Sequence, residues 1–253
     1  MNAVPQTDLS LRMRVAPRLP GTLLPLSLSD GQVDVWPADL ADTAPLDAWE
    51  AFLSPEEQER VRRFHFPADF RRYVYGRGLL RWLLASYLET DPARIQFTYS
   101  PEGKPEVVPG PAHRQLHFNL SHSGTKLLLA FAWERQVGAD VERLRSDIEL
   151  EQIATRFFSY AEQSALLSLP PAQRTAAFFR CWTRKEAYVK ATGKGLSLPL
   201  GQFDVSLLPE HPAALLATRP NAQEAEHWLL HGLELGPGYA AAVAVERSSN
   251  SRP

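Results

Sequence analysis

Phe178-Phe179-Arg180-Cys181-Trp182-Thr183-Arg184-Lys185-Glu186-Ala187-Tyr188-Val189-Lys190-Ala191-Thr192-Gly193-Lys194-Gly195 is the stretch from which the rest of the chain can be read. It predicts a helix, ended by the glycines at 193 and 195. At helical spacing Trp182, Glu186 and Lys190 fall four residues apart, so an aromatic ring, a carboxylate and an ammonium share one face. Such a row suits a bound ligand. It is also what an exposed helix looks like when Glu186 and Lys190 form an ordinary pair worth a few tenths of a kcal/mol.

Outward from this helix the pattern is mixed. Upstream, Glu149 to Leu169 reads as helix with a break near Phe157 to Tyr160. Prolines 170 and 171 stop it, and Gln173 starts the next helix. Downstream, Phe203 to Leu207, Ala213 to Ala217, His227 to Leu233 and Tyr239 to Val245 are short strands separated by Pro, Gly and polar residues, which predicts antiparallel pairing. Toward the N-terminus, residues 1 to about 30 form an irregular arm with a weak apolar run at Leu23 to Leu28, and Val33 to Trp36 is a strand. Ser54, Pro55 and Glu57 spell a helix start. Pro67 divides that helix from a longer one at about Ala68 to Leu88, in which arginines such as Arg71, Arg72, Arg77 and Arg81 alternate with apolar residues.

Ile95 to Tyr99 is a strand, and the turn-rich Pro101-Glu102-Gly103-Lys104-Pro105 presents Lys104. Leu116 to Leu120 is extended and leads into a compact turn, Ser121-His122-Ser123-Gly124. Leu127 to Trp133 and Gln136 to Val141 read as adjacent strands joined at Glu134-Arg135. The fold class is α+β.

An internal echo organises these elements. Phe52-Leu53-Ser54-Pro55-Glu56-Glu57-Gln58 resembles Phe157-Phe158-Ser159-Tyr160-Ala161-Glu162-Gln163 at an offset of 105, and Gly76-Arg77 matches Arg184-Lys185 at an offset of 108. Each half places an acidic strand residue ahead of these helices, Asp34 and Asp140. A diverged duplication predicts two similar α+β halves about a pseudo-twofold axis, residues 1–120 and 121–253, with a ligand cleft between them.

Composition bounds the function. The 253 residues, 44% hydrophobic, supply a substantial core, and no run approaches 18 apolar residues. With no basic-then-apolar leader, a cytoplasmic protein without a membrane partner is expected. The single Cys181 excludes an internal disulfide and a cysteine-rich zinc site. A net charge of -2 argues against wholesale nucleic-acid binding.

Asp140 and Glu142, two apart at the end of an apolar strand, point to one face while Val141 points to the other. Two close carboxylates ask for a cation, and hard oxygen ligands favour Mg²⁺, with Glu186 available as a third. The same acids also suit a strand end neutralised by Arg143 and Arg145. Ser121 to Gly124 offers hydroxyls, amides and an imidazole to a phosphate oxygen, or is a plain capped turn. It lacks the pattern of a Walker loop and of a nucleophile elbow. Lys104, Lys185 and Lys190 are candidates for anionic groups.

Gly138-Ala139-Asp140-Val141-Glu142 followed by Trp182 to Lys190 resembles the paired signature of 4'-phosphopantetheinyl transferases. Phe118-Asn119-Leu120-Ser121-His122-Ser123 and Gly103-Lys104-Pro105 are similar to two further motifs of the larger, monomeric class typified by the surfactin synthetase activator. The resemblance runs from about Val33 to Gly195. It implies coenzyme A bound between the halves and transfer of its 4'-phosphopantetheine arm to a serine of an acyl, peptidyl or polyketide carrier protein, leaving adenosine 3',5'-bisphosphate. It also implies Mg²⁺ on Asp140, Glu142 and Glu186, pyrophosphate on His122 and Lys190, with Ser121 and Lys185 beside them, and the nucleotide with its 3'-phosphate near Arg77 and Lys104. Glu186 or Glu142 is then the base and Lys190 the leaving-group stabiliser. Ala139 departs from the larger aliphatic or hydroxyl residue usual at that position, yet both carboxylates keep their register. Two rival classes are a Mg²⁺-dependent phosphoesterase and a noncatalytic coenzyme-binding scaffold.

Overall fold

A computed structural model describes residues 10–23, 25–42, 45–109 and 114–247. The first nine residues of the expected arm and Leu24 of its apolar run lie outside the described residues. In order the elements are β1 (Ser10–Met13), β2 (Gln32–Asp39), α1 (Asp47–Glu50), α2 (Pro55–Val61), α3 (Pro67–Leu88), β3 (Phe97–Tyr99), β4 (Pro105–Val107), β5 (Leu116–Ser123), β6 (Lys126–Trp133) and β7 (Val137–Arg143). There follow α4 (Leu150–Phe157), α5 (Tyr160–Ser168), α6 (Pro171–Thr192), β8 (Phe203–Val205), β9 (Leu215–Thr218), β10 (Trp228–Leu233) and β11 (Tyr239–Glu246). Among the described residues no helix is long and apolar enough to cross a membrane.

The strands build two main sheets, ordered β1-β2-β6-β5 and β10-β11-β7, and two hairpins, β3-β4 and β8-β9. Pairing is antiparallel except where β1 lies parallel to β2. Period-two alternation splits β2, β6, β10 and β11 between two cores. Trp36, Leu127, Leu129 and Phe131 pack under α3, while Val33, Val35, Leu128 and Ala130 face the second sheet. There they meet Ala139, Val141, Val243 and Val245, and the opposite face of that sheet, with Ala242 and Ala244, packs under α6. The layers therefore run helix, sheet, sheet, helix.

Three expectations change. Extended structure in β5 runs through Ser123, so Ser121 and His122 belong to a strand and the turn is Gly124-Thr125. β6 and β7 follow one another in the chain but lie in different sheets, because the chain crosses over at Glu134-Arg135, where Glu134 takes a positive φ of 54°. A division between residues 120 and 121 falls inside β5, and the change of sheet at Glu134-Arg135 is the natural seam.

The halves repeat one local device. Ser54 caps α2 and Ser159 caps α5, each in a full capping box with Glu57 or Glu162. The long helices α3 and α6 each span 22 residues and begin on a proline, Pro67 and Pro171, 104 positions apart. Pro171 thus starts α6, two residues ahead of the expected Gln173. At the offset of 104, Arg81 matches Lys185 and Arg77 matches Cys181, which replaces the offset of 108 expected from residue types. Arg81 Nε lies 2.5 Å from Glu57 and its Nη1 donates to the carbonyls of Pro92 and Ile95. Lys185 Nζ lies 2.8 Å from Glu162 and donates to the carbonyls of Leu200 and Phe203. Arg77 shares Glu57 with Arg81, whereas its counterpart Cys181 is buried beside Glu162.

Candidate active site

The acidic end of β7 owes its place to Gly138. A Cβ at that position would stand 2.2 Å from the Ala187 carbonyl oxygen and 2.3 Å from the Ala191 amide, so only glycine lets α6 lie this close to the strand. The close crossing brings Lys190 Nζ to 2.5 Å from Asp140 Oδ1. Asp140 and Glu142 sit on the α6 side of β7, since Ala139 and Val141 fill the core between the sheets.

Asp140 is buried and only half satisfied. Its Oδ1 accepts from Ser121 Oγ at 2.9 Å and from Lys190, while Oδ2 has no hydrogen-bond partner among the described residues. Burial pushes its carboxyl up to about 6, against the pull of Lys190 and with help from the charge of Glu142. Burial also raises Glu186, where Lys190 opposes the shift and Glu142 adds to it. Glu142 accepts from Ser123 Oγ at 2.6 Å. Lys190 and Glu142 therefore act electrostatically on both Asp140 and Glu186. The third member of the helical row, Trp182, instead stacks with Phe178, lies tilted against Phe158 and meets Phe157 edge-on.

The other predicted residues divide. Ser121 joins the cluster through Asp140 and Lys190. His122 points the other way from β5 and is exposed. Desolvation by its neighbours and the charges of Arg72 and Lys190 lower its imidazole. Lys104 ties the β3-β4 hairpin to the seam, donating to Gln136 Oε1 at 2.9 Å and to the carbonyls of Val137 and Ala191 at the end of α6. Burial brings its ammonium down to about 8. Arg77 pairs with Glu57 and lies 3.9 Å over the Phe97 ring, with 17% of its side chain exposed.

Lys185 does not join. Its side chain is 0% exposed and all its partners are internal, so it is a structural cation and is not presented to a ligand. Asn119, Ser123 and Gly138 stand in the motifs, but the sequence does not show that Asn119 and Ser123 bond β7 or that Gly138 admits α6. For Gly138 a signal existed, a glycine inside a strand, which marks a close backbone approach.

Among the described residues, no group of three histidine, cysteine or acidic side chains closes into a metal-holding cluster. The donor set nevertheless fits a hard cation. Asp140 and Glu186 are both raised by burial and both feel the charge of Glu142, and Asp140 keeps a buried oxygen unpaired.

Residues 42–134 match the family model described as 4'-phosphopantetheinyl transferase, N-terminal, and residues 136–244 match that of the 4'-phosphopantetheinyl transferase superfamily. The two matches meet at the Glu134-Arg135 crossover. The chain is similar to the 4'-phosphopantetheinyl transferase HetI of Nostoc sp., at 41% identity over 222 residues that cover 87% of this chain and 90% of that protein. It is also similar to the putative 4'-phosphopantetheinyl transferase slr0495 of Synechocystis sp., at 37% identity, covering 75% of each. The 4'-phosphopantetheinyl transferase Sfp of Bacillus subtilis is 36% identical over 77% of this chain and 83% of its own. With two family models and relatives aligned over most of their length, the chain belongs to the 4'-phosphopantetheinyl transferase superfamily.

Proposed function

We propose that this protein transfers the 4'-phosphopantetheine arm of coenzyme A to the serine of an apo acyl, peptidyl or polyketide carrier protein, with Mg²⁺, and releases adenosine 3',5'-bisphosphate. The observation that carries the reading is Asp140, buried, gripped on one oxygen by Lys190 and Ser121 and left unpaired on the other. A carboxylate kept in that state costs stability, and a site for a cation is what the cost sustains.

Asp140, Glu142 and Glu186 would hold the metal, which when bound supplies positive charge to the pyrophosphate and polarises the phosphoryl group. Lys190 and Ser121 orient the pyrophosphate, and His122, whose ring feels the charge of Lys190, meets it from the exposed side of β5. Arg77 and Lys104 bind the nucleotide portion and its 3'-phosphate. The carrier hydroxyl attacks the phosphorus joined to pantetheine, and the bond from that phosphorus to the bridging oxygen of the nucleotide breaks. Lys190 stabilises the charge that gathers on the leaving oxygen. Glu186, raised by burial toward the range of a useful base, or Glu142 takes the hydroxyl proton directly or through one water. The protein acts on this reading as a cytoplasmic monomer.

The test is intact-mass analysis of apo carrier proteins incubated with the protein, coenzyme A and Mg²⁺. The expected gain is about 340 Da, abolished by replacing the acceptor serine and strongly reduced by Glu186→Ala. Consumption of coenzyme A without a modified carrier would replace transfer with phosphoester hydrolysis.

A further inference from the structure

β7 is an edge strand, since β11 pairs with one side of it and the sheet ends there. Its outward amides need partners, because a buried backbone N–H left alone is costly. Side chains of β5 take them at regular intervals. The Ala139 amide donates to Asn119 Oδ1 at 3.0 Å, that of Val141 to Ser121 Oγ at 3.4 Å and that of Arg143 to Ser123 Oγ at 3.1 Å. Each rung steps two residues along both strands in the same direction, so side chains stand in for the carbonyls of a parallel ladder.

The two hydroxyls do a second job. A serine whose oxygen already accepts from a backbone amide has its proton left to give, and the carboxylates of β7 receive it. Ser121 Oγ reaches Asp140 Oδ1 at 2.9 Å, and Ser123 Oγ reaches Glu142 Oε2 at 2.6 Å. Each serine thus grips one carboxylate and the backbone amide of the next residue. Rotation of either carboxylate breaks a bond on a hydroxyl that the strand holds fixed.

We propose that Ser123 is a positioning residue for Glu142, fixing one of its oxygens so that the other is aimed at the metal, with Ser121 serving Asp140 in the same way. The inference rests on the metal-assisted reading above. It assigns Ser123 a role in metal affinity and none in contacting coenzyme A.

The experiment is Mn²⁺ binding to the full chain without substrates, followed by electron paramagnetic resonance of the free ion, for the wild type, Ser123→Ala, Ser123→Thr and Ser123→Val. Threonine and valine share a shape suited to a strand and differ in the hydroxyl, so a folding defect common to both is separated from loss of the hydrogen bond. The expected result is a Kd weakened about 10-fold or more in the alanine and valine variants and restored by threonine. Equal Kd values for threonine and valine, with the wild type binding normally, would overturn the proposal and leave Ser123 as a backbone partner. A wild type that binds no Mn²⁺, with or without coenzyme A, would overturn the metal reading itself and this inference with it.

Discussion

Asp34 on β2 and Asp140 on β7 occupy corresponding places, each facing the long helix of its own half, and they are treated in opposite ways. Asp34 accepts from Tyr87 Oη at 2.6 Å, from Arg12 Nε at 2.6 Å and Nη2 at 2.9 Å, and from Arg14 Nε at 2.7 Å, with Trp36 Nε1 completing the network through Tyr87. The two arginines come from β1 and the residue after it, so the arm neutralises this carboxylate. Asp140 has one cation and one hydroxyl, and an oxygen left over. Trp36 stands two residues after Asp34, where Glu142 follows Asp140. The same framework has satisfied a carboxylate in one half and held one incompletely satisfied in the other. Satisfaction serves folding; in the function proposed above, the deficit serves a metal and a phosphate.

That contrast can be attacked where the halves are alike as well as where they differ. The largest effect should come from the shared ion pairs. Glu57→Ala and Glu162→Ala each leave a buried cation without its partner, a loss of about 3–5 kcal/mol by urea unfolding. Glu57→Ala should be the worse, since it strands Arg77 as well as Arg81. Losses under 1 kcal/mol in both would break the claim that one device supports the two halves.

Next come the aspartates. Asp140→Asn should lower carrier modification by about 100- to 1,000-fold while leaving the unfolding midpoint unchanged or higher. Asp34→Asn should do the reverse, removing about 2 kcal/mol of stability and keeping the transfer rate. Activity lost in the Asp34 variant and kept in the Asp140 variant would invert the assignment.

Two histidines give a smaller contrast. Burial first, and then the charge of Lys104, push His117 down to about 4, and burial alone lowers His231. A depressed folded value means that the neutral ring is favoured in the native state. Its contribution is full above the unfolded value of about 6.5 and is lost as pH falls toward 4. His117→Gln should therefore flatten the acid loss of stability in that window by about 2 kcal/mol, and His231→Gln should flatten it less. The smallest effect is symmetrical: Ser54→Ala and Ser159→Ala should each cost about 1 kcal/mol, because their capping boxes are the same.

What could be read from the sequence follows from how local the cause is. Both capping boxes, the stop at Pro67 and the facing of Asp140 and Glu142 depend on neighbours within a few positions, and the structure has them. Alignment of the long helices by residue type paired Arg77 with Lys185, since both are cations. The packing pairs Arg81 with Lys185, because position under the capping glutamate decides, and that places Lys185 inside. The sequence offers the Ser123 hydroxyl to a phosphate and does not show its bonds to β7, for a different reason. Its partners, Glu142 and Arg143, are reached across the gap between two sheets, and no local pattern marks that meeting.

Cys181 replaces Arg77 in the second copy of the framework, and it is the only thiol in the chain. Enclosed on the inner face of α6, with burial holding its thiol well above the ordinary range, it is unreactive while the helix stays seated. A thiol-reactive dye would therefore colour the protein only as fast as α6 lifts from the sheet, which turns one residue into a built-in clock for local opening.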